Sequence, residues 1–256
     1  MFKPYKRKFR WAVEGYSTKY GKFEIGSSGF DIADPQMYKD RFVFYEKLSH
    51  EVGEGQIYVK DLESGTEKFY FGNGAHCSYP FIFSKNGSEF ICFEQHIRRT
   101  TEIFEFKGPD LPLGPCVASV FDGLAVVDVT FFNHDNWLYA LYNEDVGDIG
   151  DHGGVLKLCR FNTFDFSLEF TVTLGTDVRS CRCAGSAKVI GNRLFFTTQK
   201  KLPGSYGDGL LLNIFNLRQP RPSHLKTIGL KGFEMSHHID WRQNSSGFVF
   251  DKKLTL

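Results

Sequence analysis

Residues 77–94, CSYPFIFSKNGSEFICFE, decide the fold. Two runs rich in Phe and Ile flank Lys85-Asn86-Gly87, and Asn-Gly is a pair suited to a tight hairpin turn, whose central residues take positive φ. The stretch opens on Cys77-Ser78-Tyr79-Pro80 and closes on Cys92-Phe93-Glu94. The same layout recurs along the chain. Its other opening motifs are Ile32-Ala33-Asp34-Pro35, Val126-Val127-Asp128-Val129, Arg182-Cys183-Ala184-Gly185 and His237-His238-Ile239-Asp240. The matching second strands end at Phe44-Tyr45-Glu46, Tyr142-Asn143-Glu144, Thr197-Thr198-Gln199 and Val249-Phe250-Asp251, and Lys39-Asp40, Asp135-Asn136 and Gly191-Asn192 fall at hairpin turns.

The period is roughly 48 to 55 residues, the length of one four-stranded propeller blade. Third and fourth strands are visible as Gln56 to Lys60 with Lys68 to Phe71, and as Glu102 to Phe106 with Val117 to Phe121. The fifth copy runs out of chain, and Lys8 to Glu14 is left over to supply its missing strand, which would remove an exposed sheet edge. The pattern predicts an all-β, single-domain, five-bladed β-propeller over 1–256, with blades near 30–71, 76–121, 125–174, 180–230 and 233–256 plus 8–14. A β-sandwich also uses short strands but gives no reason for a polar strand end at blade spacing.

Composition narrows the partners. Lys and Arg number 31 against 30 Asp and Glu, a net charge of +1, so no global field favours a nucleic-acid backbone or an anionic bilayer. The basic cluster from Lys3 to Arg10 is followed by Trp11-Ala12-Val13-Glu14, not by a long apolar run, which predicts neither a leader nor stable membrane insertion and implies a cytoplasmic protein. The six cysteines lack the spacing of a disulfide framework and are expected as reduced core thiols. The run Asp145 to Gly154 reads as a loop, possessing no phosphate-binding spacing.

In a propeller the first strand of each blade lines the axis and the second runs antiparallel beside it. The start of one and the end of the other therefore meet at a single rim. This would gather Asp34, Asp128, Glu46, Glu94, Glu144, Gln199, Asp251, Arg182, His237 and His238 around a central funnel. Crowded, half-buried carboxylates separate their protonation states, and paired carboxylates cleave glycosidic bonds by acting as acid and base. Tyr79 and Tyr206 add flat faces for sugar rings. Other roles stand beside these: Asp34 and Asp128 as turn caps, the glutamates as blade-to-blade ion-pair partners, and Arg182 as a partner of either a buried carboxylate or a phosphate. Alternation along a strand predicts that only one of His237 and His238 faces the funnel, so no two-His metal chelate and no cofactor are expected.

Ala33-Asp34-Pro35, His76-Cys77-Ser78-Tyr79-Pro80-Phe81 with Phe93-Glu94, Ala184-Gly185 with Gln199 and Tyr206-Gly207, and His237-His238-Ile239-Asp240 together resemble the propeller domain at the N-terminus of glucosamine inositolphosphorylceramide transferases and of bacterial surface-polysaccharide proteins. More distantly the chain resembles five-bladed glycosidases of the arabinanase and β-xylosidase type. The resemblance implies Asp34 as base, Asp128 as a second acidic group, and Glu94 or Glu144 as acid, with Glu46, Tyr79, Arg182, Gln199, Tyr206, His237 and His238 binding substrate. It implies glycosyl transfer in surface-glycan synthesis, with a carbohydrate or nucleotide-sugar substrate and glycan-assembly partners. Glycoside hydrolysis and non-catalytic glycan binding are the alternatives.

Overall fold

The computed structural model describes residues 9–145, 154–177, 179–202, 205–218, 225–241 and 247–255. Most of the Asp145 to Gly154 run, and Lys8 of the expected closing strand, lie outside these. The chain opens with β1 (Phe9–Ser17) and β2 (Gly21–Ile25). Antiparallel groups follow: β3 (Phe30–Tyr38), β4 (Phe42–Ser49), β5 (Gly55–Asp61) and β6 (Glu67–Phe71); then β7 (Ser78–Lys85), β8 (Ser88–Glu94), β9 (Thr101–Glu105) and β10 (Cys116–Val120). The next are β11 (Val126–His134), β12 (Trp137–Glu144), β13 (Val155–Phe161) and β14 (Leu168–Gly175), then β15 (Cys183–Ile190), β16 (Arg193–Gln199), β17 (Leu210–Asn216) and β18 (Lys226–Gly229). The chain ends with β19 (Ile239–Asp240) and β20 (Phe248–Thr255).

Three sheets have four strands, while an eight-stranded sheet runs β18-β17-β16-β15-β19-β20-β1-β2. A parallel bridge between Gly185 and Ile239 joins its two halves. In the second half β1 lies antiparallel to β20, with Val13 opposite Asp251, so the start of the chain completes a sheet begun by its end. The first strands touch in succession: β3 contacts β7, β7 contacts β11, β11 contacts β15, β15 pairs with β19, and β19 contacts β3.

Local sequence explains the hairpins. Lys39 and Asp40 have φ of 50° and 55°, Asn86 and Gly87 51° and 82°, and Asp135 and Asn136 47° and 64°. These are the positive dihedrals of tight two-residue turns, whose twist matches the strands they join. The apolar clusters are shared between consecutive groups. Phe44 and Ile57 pack with Ile82, Ile91 and Phe93; Phe83 and Cys92 with Phe131 and Phe161; Leu141 and Leu158 with Leu194 and Phe196; and Val13 and Val249 with Ile32 and Tyr45. Five of the cysteines are buried and free, whereas Cys116 is exposed and free.

The close approach at the parallel bridge depends on Gly185, whose φ is 111° and on which a Cβ would collide with the Ile239 carbonyl. Gly185→Ala should lower unfolding free energy by roughly 3 kcal/mol or more, read by urea denaturation. Gly191→Ala, also at positive φ but with open space around it, should cost only about 1 kcal/mol.

Candidate active site

The first strands share one irregularity. Ala33 pairs with Glu46 and Gln36 with Phe44, so Asp34 and Pro35 together oppose Tyr45. Likewise Tyr79 and Pro80 oppose Phe93, and Asp128 and Val129 oppose Tyr142. Between Cys183 and Ala187 the fourth copy accommodates Ala184, Gly185 and Ser186 opposite Thr197. In each bulge one residue takes positive φ: Asp34 49°, Tyr79 46°, Asp128 54° and Gly185 111°. A bulge of this kind bends the strand and re-aims its side chains.

The bulges leave backbone N–H groups with no ladder partner, and a side chain of the preceding group accepts from them. Asp34 N donates to Asp251 Oδ2 (3.3 Å), Asp128 N to Glu94 Oε2 (3.0 Å) and Cys183 N to Asn143 Oδ1 (2.8 Å). One step further along the strands, Met37 N donates to Asp240 Oδ2 (2.8 Å) and Ile82 N to Gln36 Oε1 (2.6 Å). Left-handed geometry costs about 1–2 kcal/mol per non-glycine residue, and a hydrogen bond to a charged acceptor returns about 1.5–3 kcal/mol, so the caps outweigh the strain. The recurrent strand-end acids thus join neighbouring groups through amides.

The bulge also sets which strand-end residue turns inward. The residues opposite Ala33, Ser78, Val127 and Cys183 are Glu46, Glu94, Asn143 and Thr198. Glu144 is therefore displaced by one residue to the other side of its strand, where it pairs with Lys157. The structure does not bring it into the carboxylate cluster. Gln199, also one residue on, is buried and bonds back to its own group, its Nε2 to Cys183 O at 3.4 Å.

Two ion-paired centres form. In the first, His237 lies between two carboxylates, Nδ1 2.9 Å from Asp251 Oδ2 and Nε2 3.3 Å from Asp34 Oδ1, and His238 Nδ1 is 3.6 Å from the same Asp34 oxygen. Both histidines reach Asp34 because they precede β19 and do not alternate as strand residues do, which corrects the one-in, one-out expectation. Burial opposes charge on Asp34, but hydrogen bonds from His237 and His238 hold it well below the usual carboxylate range. Burial likewise opposes charge on His237, but Asp251, Tyr206 and Asp34 hold its imidazole well above the usual value. Ligand atoms of Asp34, His237 and Asp251 lie within 4.8 Å of one another, near enough to share a metal ion. With each ring nitrogen facing a carboxylate, the arrangement also fits an imidazolium bridge between Asp34 and Asp251.

In the second centre the Arg182 guanidinium forks onto Asp128, through Nε to Oδ2 and Nη2 to Oδ1 (3.3 Å). Of the two partners open to Arg182, the buried carboxylate holds it. Burial drives the Asp128 carboxyl up, to about 8, against the pull of Arg182, and Glu94 adds to the rise. Tyr206 joins the two centres: its ring is 5.0 Å from His237 and 5.6 Å from the Arg182 guanidinium carbon. Trp11 packs on the other face of the histidine centre, 4.3 Å from the His237 ring. Tyr79 is fully buried, and its hydroxyl accepts from Gly185 N at 2.8 Å and meets Thr130 Oγ1 at 2.8 Å, so it braces across the axis. Further along the first strands a separate cavity of about 330 Å³ is lined by Met37, Phe81, Phe83, Phe131 and Ser186 among others.

No family model matches the sequence, and no curated protein matches it. Solved structures do. An α-L-arabinofuranosidase from Lactobacillus brevis superposes with a TM-score of 0.57 at 13% identity, over 86% of this chain and 83% of that one. A family 43 β-1,3-galactosidase with galactodeoxynojirimycin gives 0.52 at 11%, over 96% and 93%. An endo-1,4-β-xylanase from Bacteroides thetaiotaomicron gives 0.56 at 9%, over 87% and 88%. The fold is a β-propeller. These neighbours agree with the glycosidase side of the sequence resemblance; they are not transferases.

The sequence reading placed Asp251 at the rim without giving it a role and passed over Asn143, although it stands at a recurrent strand end; Trp11 carried no such signal. The pKa directions fix a pH dependence. The lowered Asp34 contributes stability that is present above its ordinary value of 3.8 and lost as pH falls through its folded value. The raised His237 contributes stability that is present below 6.5 and lost as pH rises through its higher folded value. The raised Asp128 acts in the same direction, losing its contribution as pH rises through about 8. Urea midpoints should therefore fall on both the acid and alkaline sides, and His237→Gln should flatten the alkaline fall.

Proposed function

We propose that this chain is a five-bladed propeller, closed by β1 on β20, that hydrolyses glycosidic bonds with carboxylates at one end of its axis. The cyclic succession of contacts from β3 through β7, β11, β15 and β19 back to β3 supports the closed ring. One observation carries the chemical reading. Asp34 is held ionised by two histidines while the neighbouring buried acids Asp128 and Glu46 are pushed up, and carboxyls separated in this way are the acid and base of hydrolysis. Asp34 takes the proton of the attacking water. Arg182 and Asp128 form a fixed polar wall that orients the sugar, and Tyr206 contributes an aromatic face.

Hydrolysis is favoured over sugar transfer on two grounds. The folds nearest in shape among those named above are hydrolases, and the Arg182 fork, which a donor phosphate would need, is committed to Asp128. The chain acts on carbohydrate, and the neighbours' arabinose-, galactose- and xylose-based names define the first panel of substrates. Non-catalytic glycan binding is the second reading, favoured by the fact that Asp34 and Asp128 already have cationic partners.

Aryl arabinosides, galactosides and xylosides, with and without nucleotide sugars, separate these readings. Release of the aryl group without a donor is expected. Asp34→Asn should lower turnover by about 10²–10⁴-fold while leaving the sugar's Kd within a few-fold. Unchanged binding with no turnover in the wild type would instead establish the binding module, and donor-dependent product would establish transfer.

A further inference from the structure

Glu46 stands apart from the other strand-end groups. Asp251, Glu94 and Asn143 each accept a backbone N–H from the next group. Glu46 occupies the matching place opposite Ala33, yet among the described residues its Oε1 is buried with no hydrogen-bond partner. The scaffold uses the others as amide caps and does not use this oxygen so. Such a group is expensive to bury in ionised form and is stable there as the neutral acid.

Its surroundings are shaped for it. Glu46 lies against Gly55, where any Cβ would collide with Oε1. The Gly55 N–H donates to His76 Nδ1 at 3.0 Å, which assigns the proton of the neutral imidazole to Nε2. That Nε2 is 3.5 Å from Glu46 Oε1. The His76 side chain is 27% exposed and that of Glu46 8%, so the imidazole spans from solvent to the buried acid. Asp34, Glu94, His237 and Asp31 face Glu46 electrostatically, with Cys77 beside it. Burial first, then the charges of Asp34 and Glu94, keep Glu46 well above the usual carboxyl range, and His237 opposes them only in part.

We propose that Glu46 is the proton donor of the hydrolysis and that His76, through Nε2–H, positions it and steadies the carboxylate it leaves. The assignment rests on the hydrolytic reading given above and names the acid that reading requires. The Glu46 proton moves to the glycosidic oxygen as the C1–O bond breaks, and the bond's electron pair stays on that oxygen. Water forms the new bond to C1 and gives its proton to Asp34. Asp34 then releases a proton to solvent, and the Glu46 carboxylate takes one from solvent while His76 Nε2–H steadies its charge.

Two measurements on the full chain test this. Glu46→Gln should lower turnover about a thousandfold on alkyl glycosides, whose leaving oxygen needs a proton, and far less on dinitrophenyl glycosides, which leave as stable anions. His76→Ala should slow turnover about tenfold, and His76→Gln, which keeps an N–H donor, should recover most of it. Independently of activity, infrared difference spectra at neutral pH should show a protonated carboxyl C=O band that Glu46→Gln removes. Equal loss on both leaving groups, or no loss, overturns the donor role. Absence of the infrared band overturns it whatever the activity. A band present in a protein that cleaves none of the glycosides brings down the hydrolytic reading, and the donor role with it.

Discussion

A backbone N–H that has lost its ladder partner at the axis is the constraint around which this propeller is arranged. The first strands β3, β7 and β11 are edges of their sheets, β15 meets β19 through a single bridge, and the irregularities of these strands expose amides in a place closed to water. Each such amide must find an acceptor or cost about 1–3 kcal/mol. Asp251, Glu94 and Asn143 supply the acceptors from the preceding group, at Asp34, Asp128 and Cys183 respectively. The bond that satisfies the backbone also fixes the neighbour's position, so the arrangement of the sheets and the geometry of the site have one origin. The left-handed turn at Asp34 and Asp128 then aims their carboxylates at His237 and Arg182.

Charge balance gives the site its chemistry. Asp34, Glu46, Glu94, Asp128 and Asp251 are all buried, while the ion-paired cations described above are the buried His237 and the half-buried Arg182. That many carboxylates cannot all ionise in a dry interior beside so few positive charges. The cations select which acids stay charged. Asp34, next to two imidazoles, is held below the usual carboxylate range, whereas Glu46, whose Oε1 accepts no hydrogen bond among the described residues, is pushed above it by burial. The acid and base of the proposed reaction would thus be separated by surroundings, with no difference in residue chemistry needed.

Much of the fold was legible in the sequence because its signals are local. Asn86-Gly87, Asp135-Asn136 and Lys39-Asp40 named their own turns, and the alternating Phe and Ile runs between them named the strands. Asp34, Asp128, Arg182, His237 and His238 were all placed at one locus, and the structure brings them together in two linked centres. Register was less legible. A bulge adds a residue to one strand without marking its sequence, so the inward position in the third and fourth copies is Asn143 and Thr198 rather than the adjacent Glu144 and Gln199. The His237-His238 pair misled for a related reason, since alternation holds only once a strand has begun. The cap role of Asp251 depends on a partner more than 200 residues away in the chain and leaves no local trace.

Native-state hydrogen exchange at the Asp34 and Asp128 amides tests the central claim most directly. If side chains of the neighbouring group hold these bulges closed, both amides exchange only through global unfolding, as slowly as the central strand amides of β4 and β12. Exchange at the rate of the hairpin-turn amides would show that these strands open locally, and the capped bulges could not then be what holds the carboxylates in place.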